Sequence, residues 1–190
     1  MVRVLLSGGS SFIVHAEISS RRDIRSGREL TEREIEALKS DSETIFARHS
    51  ALSLLSRSAY TRRGLAAKLY LRGYGQHAVK RAIARVMELG YLDDRLFAEQ
   101  FAQARLASRK EGWKSMYKAM LGKGVPRPIA QEVASRVLSE DIELEKAVSL
   151  TEGLPPAKAA SRLTARGFRS RTISRALNRL RSPDPGREAE

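Results

Sequence analysis

The chain has 190 residues, no cysteine and a formal charge of +13. The missing cysteine excludes disulfides, thiolate zinc sites and cysteine nucleophiles, and no apolar run approaches the ~20 residues that a membrane-spanning helix needs. A hydrophobic fraction of 42% with 30% charged residues fits a folded chain and is too apolar for general disorder.

The opening stretch, through Ser7, Gly8 and Gly9, is too short and interrupted for a secretory signal, so a soluble cytoplasmic protein is expected. Residues 2–6 and 12–18 alternate apolar and polar side chains around that Gly-rich turn, which predicts a β-hairpin. From Gly27 onward the periodicity is helical. Thr31 and Glu34 form a capping-box pattern, with Leu30 and Ile35 at the staple positions. A longer helix is predicted over residues 42–56, and Thr61 caps the one after it.

An internal repeat then emerges. Gly73, Gly124 and Gly167 each follow a basic residue (Arg72, Lys123, Arg166) and precede an apolar one (Tyr74, Val125, Phe168). Eight and four residues before each glycine stand Leu65 and Leu69, Met116 and Met120, Ala159 and Leu163. A second, matching apolar set follows each turn: Ala78, Val79, Ala82 and Ile83; Ile129, Ala130, Val133 and Ala134; Thr172, Ile173, Ala176 and Leu177. This describes a helix ending at a left-handed glycine, then a second helix folding back. With longer helices at 42–56, 94–109 and 141–152, the pattern predicts three tandem three-helix units that bury their faces by stacking. Between the first two units, Gly90 ends a helix. Asp93 can cap the next, with Leu92 and Phe97 stapled around it.

The charge is uneven. Residues 1–50 are neutral, 51–138 carry +11, 139–153 carry −4, 154–181 carry +8 and the tail −2. Two basic blocks of one sign with little compensation predict a binding surface.

These motifs resemble the RecX family, modulators of the RecA recombinase, over residues 27–180. The most specific match is Leu89-Gly90-Tyr91-Leu92-Asp93-Asp94 followed by Phe97 and Ala98. The run from Thr61 to Leu69 leading to Arg72-Gly73-Tyr74 is next. Gly112 with Met116, Met120 and Lys123-Gly124-Val125 looks like the second family repeat, and the hairpin is similar to the amino-terminal extension of many members. The resemblance implies a mainly α protein, an elongated curved body of three tandem three-helix repeats behind a hairpin. It implies a non-enzymatic regulator that binds the RecA–ssDNA filament and restrains its ATPase and strand exchange. One departure is that the family often has Glu where Gly64 and Ala119 stand. Gly64 forgoes a capping-box acceptor and costs ~1 kcal/mol against Ala in a helix interior, less near its end.

The expected boundaries are a hairpin and short capped helix over 1–41, repeats over 42–92, 93–140 and 141–181, and a disordered tail over 182–190. Candidate filament or DNA contacts are the basic residues off the apolar stripes. They are Arg62, Arg63, Lys68, Arg72, Lys80, Arg81 and Arg85 in the first unit, and Lys114 and Lys118 in the second. In the third they are Lys158, Arg162, Arg166, Arg169, Arg171, Arg175 and Arg179. Arg171, Arg175 and Arg179 recur every four residues, as do Lys158, Arg162 and Arg166, so each of the last two helices is expected to carry a cationic ridge. Tyr74, Tyr91, Phe97, Phe101 and Phe168 read as core. Trp113 and Tyr117 lie one turn apart and read as either core or a partly exposed anchor.

No cofactor is expected. His15, His49 and His77 lack ligand spacing, and residues 122–125 lack the upstream Gly and the Ser/Thr of a phosphate loop. Asp93 and Asp94 read as helix capping, not acid–base chemistry. A monomer whose partner is RecA is expected, with ssDNA or dsDNA as additional ligands and no membrane. The rival readings are a helical protein that binds DNA directly without RecA, and a scaffold whose charge serves solubility alone.

Overall fold

The computed structural model describes residues 1–181; the tail expected over 182–190 lies outside them. Two strands and ten helices follow one another along the described chain, in two compact units, Met1–Asp93 and Asp94–Glu190.

In the first unit, β1 (Val2–Leu5) and β2 (Ser11–Val14) pair antiparallel, with Val2 opposite Val14 and Val4 opposite Phe12. Apolar partners share a face because side chains alternate across a strand. That face packs on a helix: Val14, Ile18, Leu38 and Ile45 form a buried cluster, with Val4, Phe12, Ile24 and Leu30 around it.

Two expectations are corrected here. The second strand ends at Val14, and Ile18 belongs to α1 (Ala16–Arg21). His15 breaks the ladder: its backbone N–H donates to Ser42 Oγ at 3.1 Å, and its Nδ1 accepts from the N–H of Glu17. Second, the short capped helix and the 42–56 helix are one element, α2 (Glu32–Leu55). Thr31 and Glu34 make the reciprocal capping box at its start, at 3.2 and 2.8 Å. Ser40, Asp41 and Ser42 suggest a break because they compete for backbone bonds. In the fold Ser42 accepts from His15 and Asp41 pairs with Arg22 at 2.7 Å. These side chains thus hold the hairpin, and the helix runs through.

α3 (Arg62–Leu71) and α4 (Gln76–Glu88) complete this unit. Thr61 Oγ1 accepts from the N–H of Gly64 at 3.0 Å. Leu65 and Leu69 meet Ala47, Ala51 and Leu54 of α2 and Ala78, Val79, Ala82 and Val86 of α4 in one core, which Leu92 closes.

The second unit repeats the scheme twice. α5 (Asp94–Ser108), α6 (Trp113–Gly122) and α7 (Arg127–Val137) bury Ala98, Ala102, Met116, Met120, Ala130, Val133 and Ala134. α8 (Glu140–Thr151), α9 (Pro156–Ala165) and α10 (Ser170–Arg181) gather Leu144, Ala147, Leu150, Leu163, Phe168 and Ala176. The helix-ending glycines take left-handed φ between 75° and 88° at positions 73, 90, 124 and 167. After each of the four an N–H returns five residues: Tyr74 to Leu69, Tyr91 to Val86, Val125 to Met120 and Phe168 to Leu163.

Candidate functional site

On the first unit, Arg62, Arg63 and Lys68 lie on exposed positions of α3 and Lys80, Arg81 and Arg85 on α4. Arg72, at the C-cap of α3, hydrogen-bonds Ser50 Oγ on α2. Arg85 pairs with Glu88 at 3.0 Å. Arg81 and Arg85 line one side of a depression of about 270 Å³, with Arg48, Thr44 and Ile45 of α2 opposite. These exposed pairs contribute little to stability and leave the surface cationic.

On the second unit the candidates divide. Lys114 and Lys118 on α6, Lys158 and Arg162 on α9 and Arg179 on α10 are exposed, and among the described residues none has a carboxylate within 4 Å. The α10 ridge is partly answered by α8: Arg171 and Arg175 converge on Glu140 at 3.5 and 3.7 Å, and Arg175 reaches Asp141 at 4.0 Å. The acidic segment between the basic blocks thus answers two of the three cations of the α10 ridge.

Arg169 and Arg166 are drawn into structural roles. Glu143, fully buried, lies at the centre of the second unit. It accepts from the N–H of Trp113 at 2.8 Å, Thr172 Oγ1 at 2.7 Å, Arg169 Nε at 2.7 Å and the N–H of Arg169 at 3.2 Å. Arg169 also donates to the carbonyl of Leu138 at 2.9 Å. Burial pushes the Glu143 carboxyl up, but these donors together outweigh it and hold the group below its ordinary value. Trp113, half-buried, stacks on Tyr117 with centroids 4.9 Å apart and donates from its ring to Ser135 at 3.0 Å. It is thereby fixed between α6 and α7.

The turn at Arg166-Gly167-Phe168 docks on the start of α6. Gly112 N–H donates to Arg166 O at 3.0 Å and Lys114 N–H to Gly167 O at 2.9 Å. The two backbones touch so closely that a Cβ on Gly112 would stand 2.2 Å from Phe168 Cα. Arg166 Nη1 adds a bond to Lys110 O at 3.0 Å. Glu143 and this backbone interlock were not singled out by sequence reasoning. The available signal was a carboxylate in the apolar row Glu143, Ala147, Leu150, Thr151.

Tyr91, expected in the core, is 61% exposed; Leu92, at 4%, takes the inward place after Gly90. Phe168 is buried, while Tyr74, Phe97 and Phe101 are half-buried, the last two stacked at 5.9 Å. Asp94 is buried at the first turn of α5 and Asp93 is exposed beside it. Among the described residues no three His, Asp or Glu side chains gather as a metal site, and no helix is long and apolar enough to cross a membrane.

A sequence model of the first three-helix domain of RecX matches residues 47–85. The regulatory protein RecX of Caldanaerobacter subterraneus is 27% identical over 180 residues, covering 92% of this chain and 91% of that protein. That of Thermus thermophilus is 36% identical over 91 residues, 48% of this chain and 62% of its own length. A crystal structure of regulatory protein RecX superimposes with a TM-score of 0.74 at 18% identity, covering 93% of this chain and 94% of that one. RecX from Lactobacillus salivarius gives 0.69 at 21%, over 73% and 97%. Together these matches support the RecX family for this chain.

Within a RecX fold the geometry sorts the motif residues by task. Gly73, Gly90, Gly124 and Gly167 reverse the chain, and Leu92 and Phe97 pack. Tyr91 is the one member of the Leu89–Asp94 motif that presents a ring to the outside.

Proposed function

We propose that this chain binds RecA on its ssDNA filament and restrains the ATPase and strand-exchange activity of RecA, as a non-enzymatic cytoplasmic regulator in recombination and repair. The observation that carries this reading is the match to regulatory protein RecX along nine-tenths of both chains. Charge supports it: the exposed cations of α3, α4, α6, α9 and α10 offer a footprint for a polyanionic filament. We read the chain as an extension (1–41) and three repeats (42–92, 93–140, 141–181) acting as a monomer. One hydrophobic cluster per segment supports that division. By bridging neighbouring RecA protomers, such a body impedes the subunit movements that turnover requires.

The test is titration of the purified protein into RecA–ssDNA filaments at modest salt, following ATP hydrolysis. Inhibition that is lost on reversing Arg171, Arg175 and Arg179 to Glu, with the fold unchanged, supports the reading and places the site on α10. Unaltered inhibition by that variant removes the ridge from the interface. Failure of the native protein either to bind the filaments or to change the rate removes the function.

A further inference from the structure

A second cationic feature lies away from the α10 ridge. Between α9 and the connection from α5 to α6 runs a cleft of about 810 Å³ whose walls carry Arg109 and Lys110 on one side and Arg162 and Arg166 on the other. The Ser108 and Ser149 hydroxyls on its lining donate to the carbonyls of Ala104 and Lys146, at 2.7 and 3.1 Å. We propose that this cleft binds the phosphodiester backbone of a nucleic acid strand directly, without RecA.

Three observations carry the proposal. The first is charge. Two carboxylates, Glu111 and Glu152, also line the cleft. That of Glu111 is occupied by Arg105 at 2.6 and 2.5 Å and by the Ser115 hydroxyl at 2.9 Å. Four cations therefore face one uncommitted carboxylate. Among the described residues none of the Arg109, Lys110 and Arg162 side chains has an acidic partner within 4 Å.

The second observation is rigidity. Lys146 Nζ donates to the carbonyls of Leu106 and Arg109, at 2.7 and 3.2 Å. The Arg166 carbonyl is held by Gly112 N–H, and the Arg166 guanidinium by the Lys110 carbonyl. Both walls are thus pinned by main-chain contacts before any ligand arrives, which reduces the ordering cost of binding.

The third is the lining. Only Leu150 and Ala165 are apolar. A protein segment docks through buried apolar or aromatic anchors, and this cleft offers none of size. Interfaces with nucleic acid are more polar and far more positive, and guanidinium and ammonium groups are donors that phosphate oxygens take. Cations on both walls suit a ligand with one charge per repeating unit. The cleft lies outside the α10 surface on which the filament test bears.

The test is fluorescence anisotropy of the full chain with a labelled oligothymidylate and with a labelled duplex of the same length, in the absence of RecA. Binding of either probe, with a log K against log salt slope of about −2 to −3 for the single strand, is expected if three or four phosphates are contacted. Arg109→Glu with Arg162→Glu weakens that probe at least tenfold at low salt and flattens the slope. The milder Arg162→Gln weakens it two- to fivefold with an unchanged circular dichroism spectrum. Arg171→Glu with Arg175→Glu leaves it within twofold. The two probes distinguish a single strand from a duplex as the source of the backbone. The proposal is overturned if the cleft variants bind like the native chain, if neither probe binds, or if polyglutamate of equal charge competes as well as the oligonucleotide. The RecA titration is read separately, so either result can fail while the other stands.

Discussion

The turns at Arg72-Gly73-Tyr74 and Arg166-Gly167-Phe168 share one local code and have different neighbours. Both glycines sit at left-handed φ, 86° and 77°, and both following N–H groups reach back to a leucine, Leu69 and Leu163. Around Gly73 a Cβ would meet nothing within 4 Å, whereas on Gly167 it would stand 2.7 Å from the backbone N of Ser115. Arg72 reaches a hydroxyl within its own repeat, while the Arg166 turn is hydrogen-bonded to the repeat before it. The first turn ends a helix; the second also joins two repeats into one body. A repeat motif thus specifies chain reversal, and the contacts built on it decide whether neighbouring repeats are locked.

The largest effect is expected at the buried lock. Removing one partner of a buried, hydrogen-bonded ion pair costs about 3–5 kcal/mol, so Glu143→Ala should lower the stability of the second unit by that order. Trp113 is the only tryptophan of the chain and packs beside Glu143, so its fluorescence during urea unfolding reads this unit selectively. The same lock gives a pH dependence. Glu143 is held below its ordinary value of 4.5. Its stabilisation is therefore complete above that pH and is lost as pH falls through the folded-state value. Acid should release the Trp113 signal before it disturbs the first unit. Simultaneous loss of both would break the contrast.

Next in size is the paired substitution of the two glycines by alanine. Left-handed backbone costs a non-glycine residue about 1–2 kcal/mol, and both variants incur it. Gly167→Ala must also move backbone away from Ser115, so it should be the more destabilising by a further ~1–3 kcal/mol, the range for overpacking. Equal losses by urea titration would mean that the interlock yields without resistance.

What was legible in the sequence was what helical spacing controls. Leu65, Leu69, Met116, Met120, Ala159 and Leu163 are all fully buried, because each lies on a row fixed within one helix. What escaped it depends on residues far apart along the chain. Glu143 reads as one acid among five in its segment, and its partners lie 26–30 residues away. The fused α2 escaped because Asp41 and Ser42 resemble a helix break until Arg22 and His15, distant in sequence, supply their partners. Tyr91 was misplaced because the residue after a helix-ending glycine packs inward at Val125 and Phe168, while at Gly90 the following Leu92 does so instead. Among the candidate cations, spacing identified the exposed ones, but not that Glu140 and Asp141 would answer Arg171 and Arg175.

A smaller effect is expected from the cap of α3. Thr61 accepts from the N–H of Gly64, so Thr61→Ala should cost about 1 kcal/mol. Because that helix lies in the first unit, the loss should appear in backbone circular dichroism and hydrogen exchange of α3 and leave the Trp113 transition in place.

The smallest effect tightens the looser of the two regions. At the start of α2, Thr31 and Glu34 satisfy each other's backbone N–H groups; at the start of α3, Thr61 has Gly64 in the place of that glutamate. Gly64→Glu removes a flexible residue from the first turn and places a negative charge near the helix N-terminus. These terms act in one direction, and together they should raise the stability of the first unit by up to about 1 kcal/mol. The same substitution adds one negative charge to the α3 surface, beside Arg63 and Lys68. If that surface meets the filament, the stabilised variant should inhibit RecA less at equal concentration, and the deficit should shrink as salt screens it. A stabilised variant with undiminished inhibition would assign the α3 cations to solubility and move the interface to α4, α9 and α10.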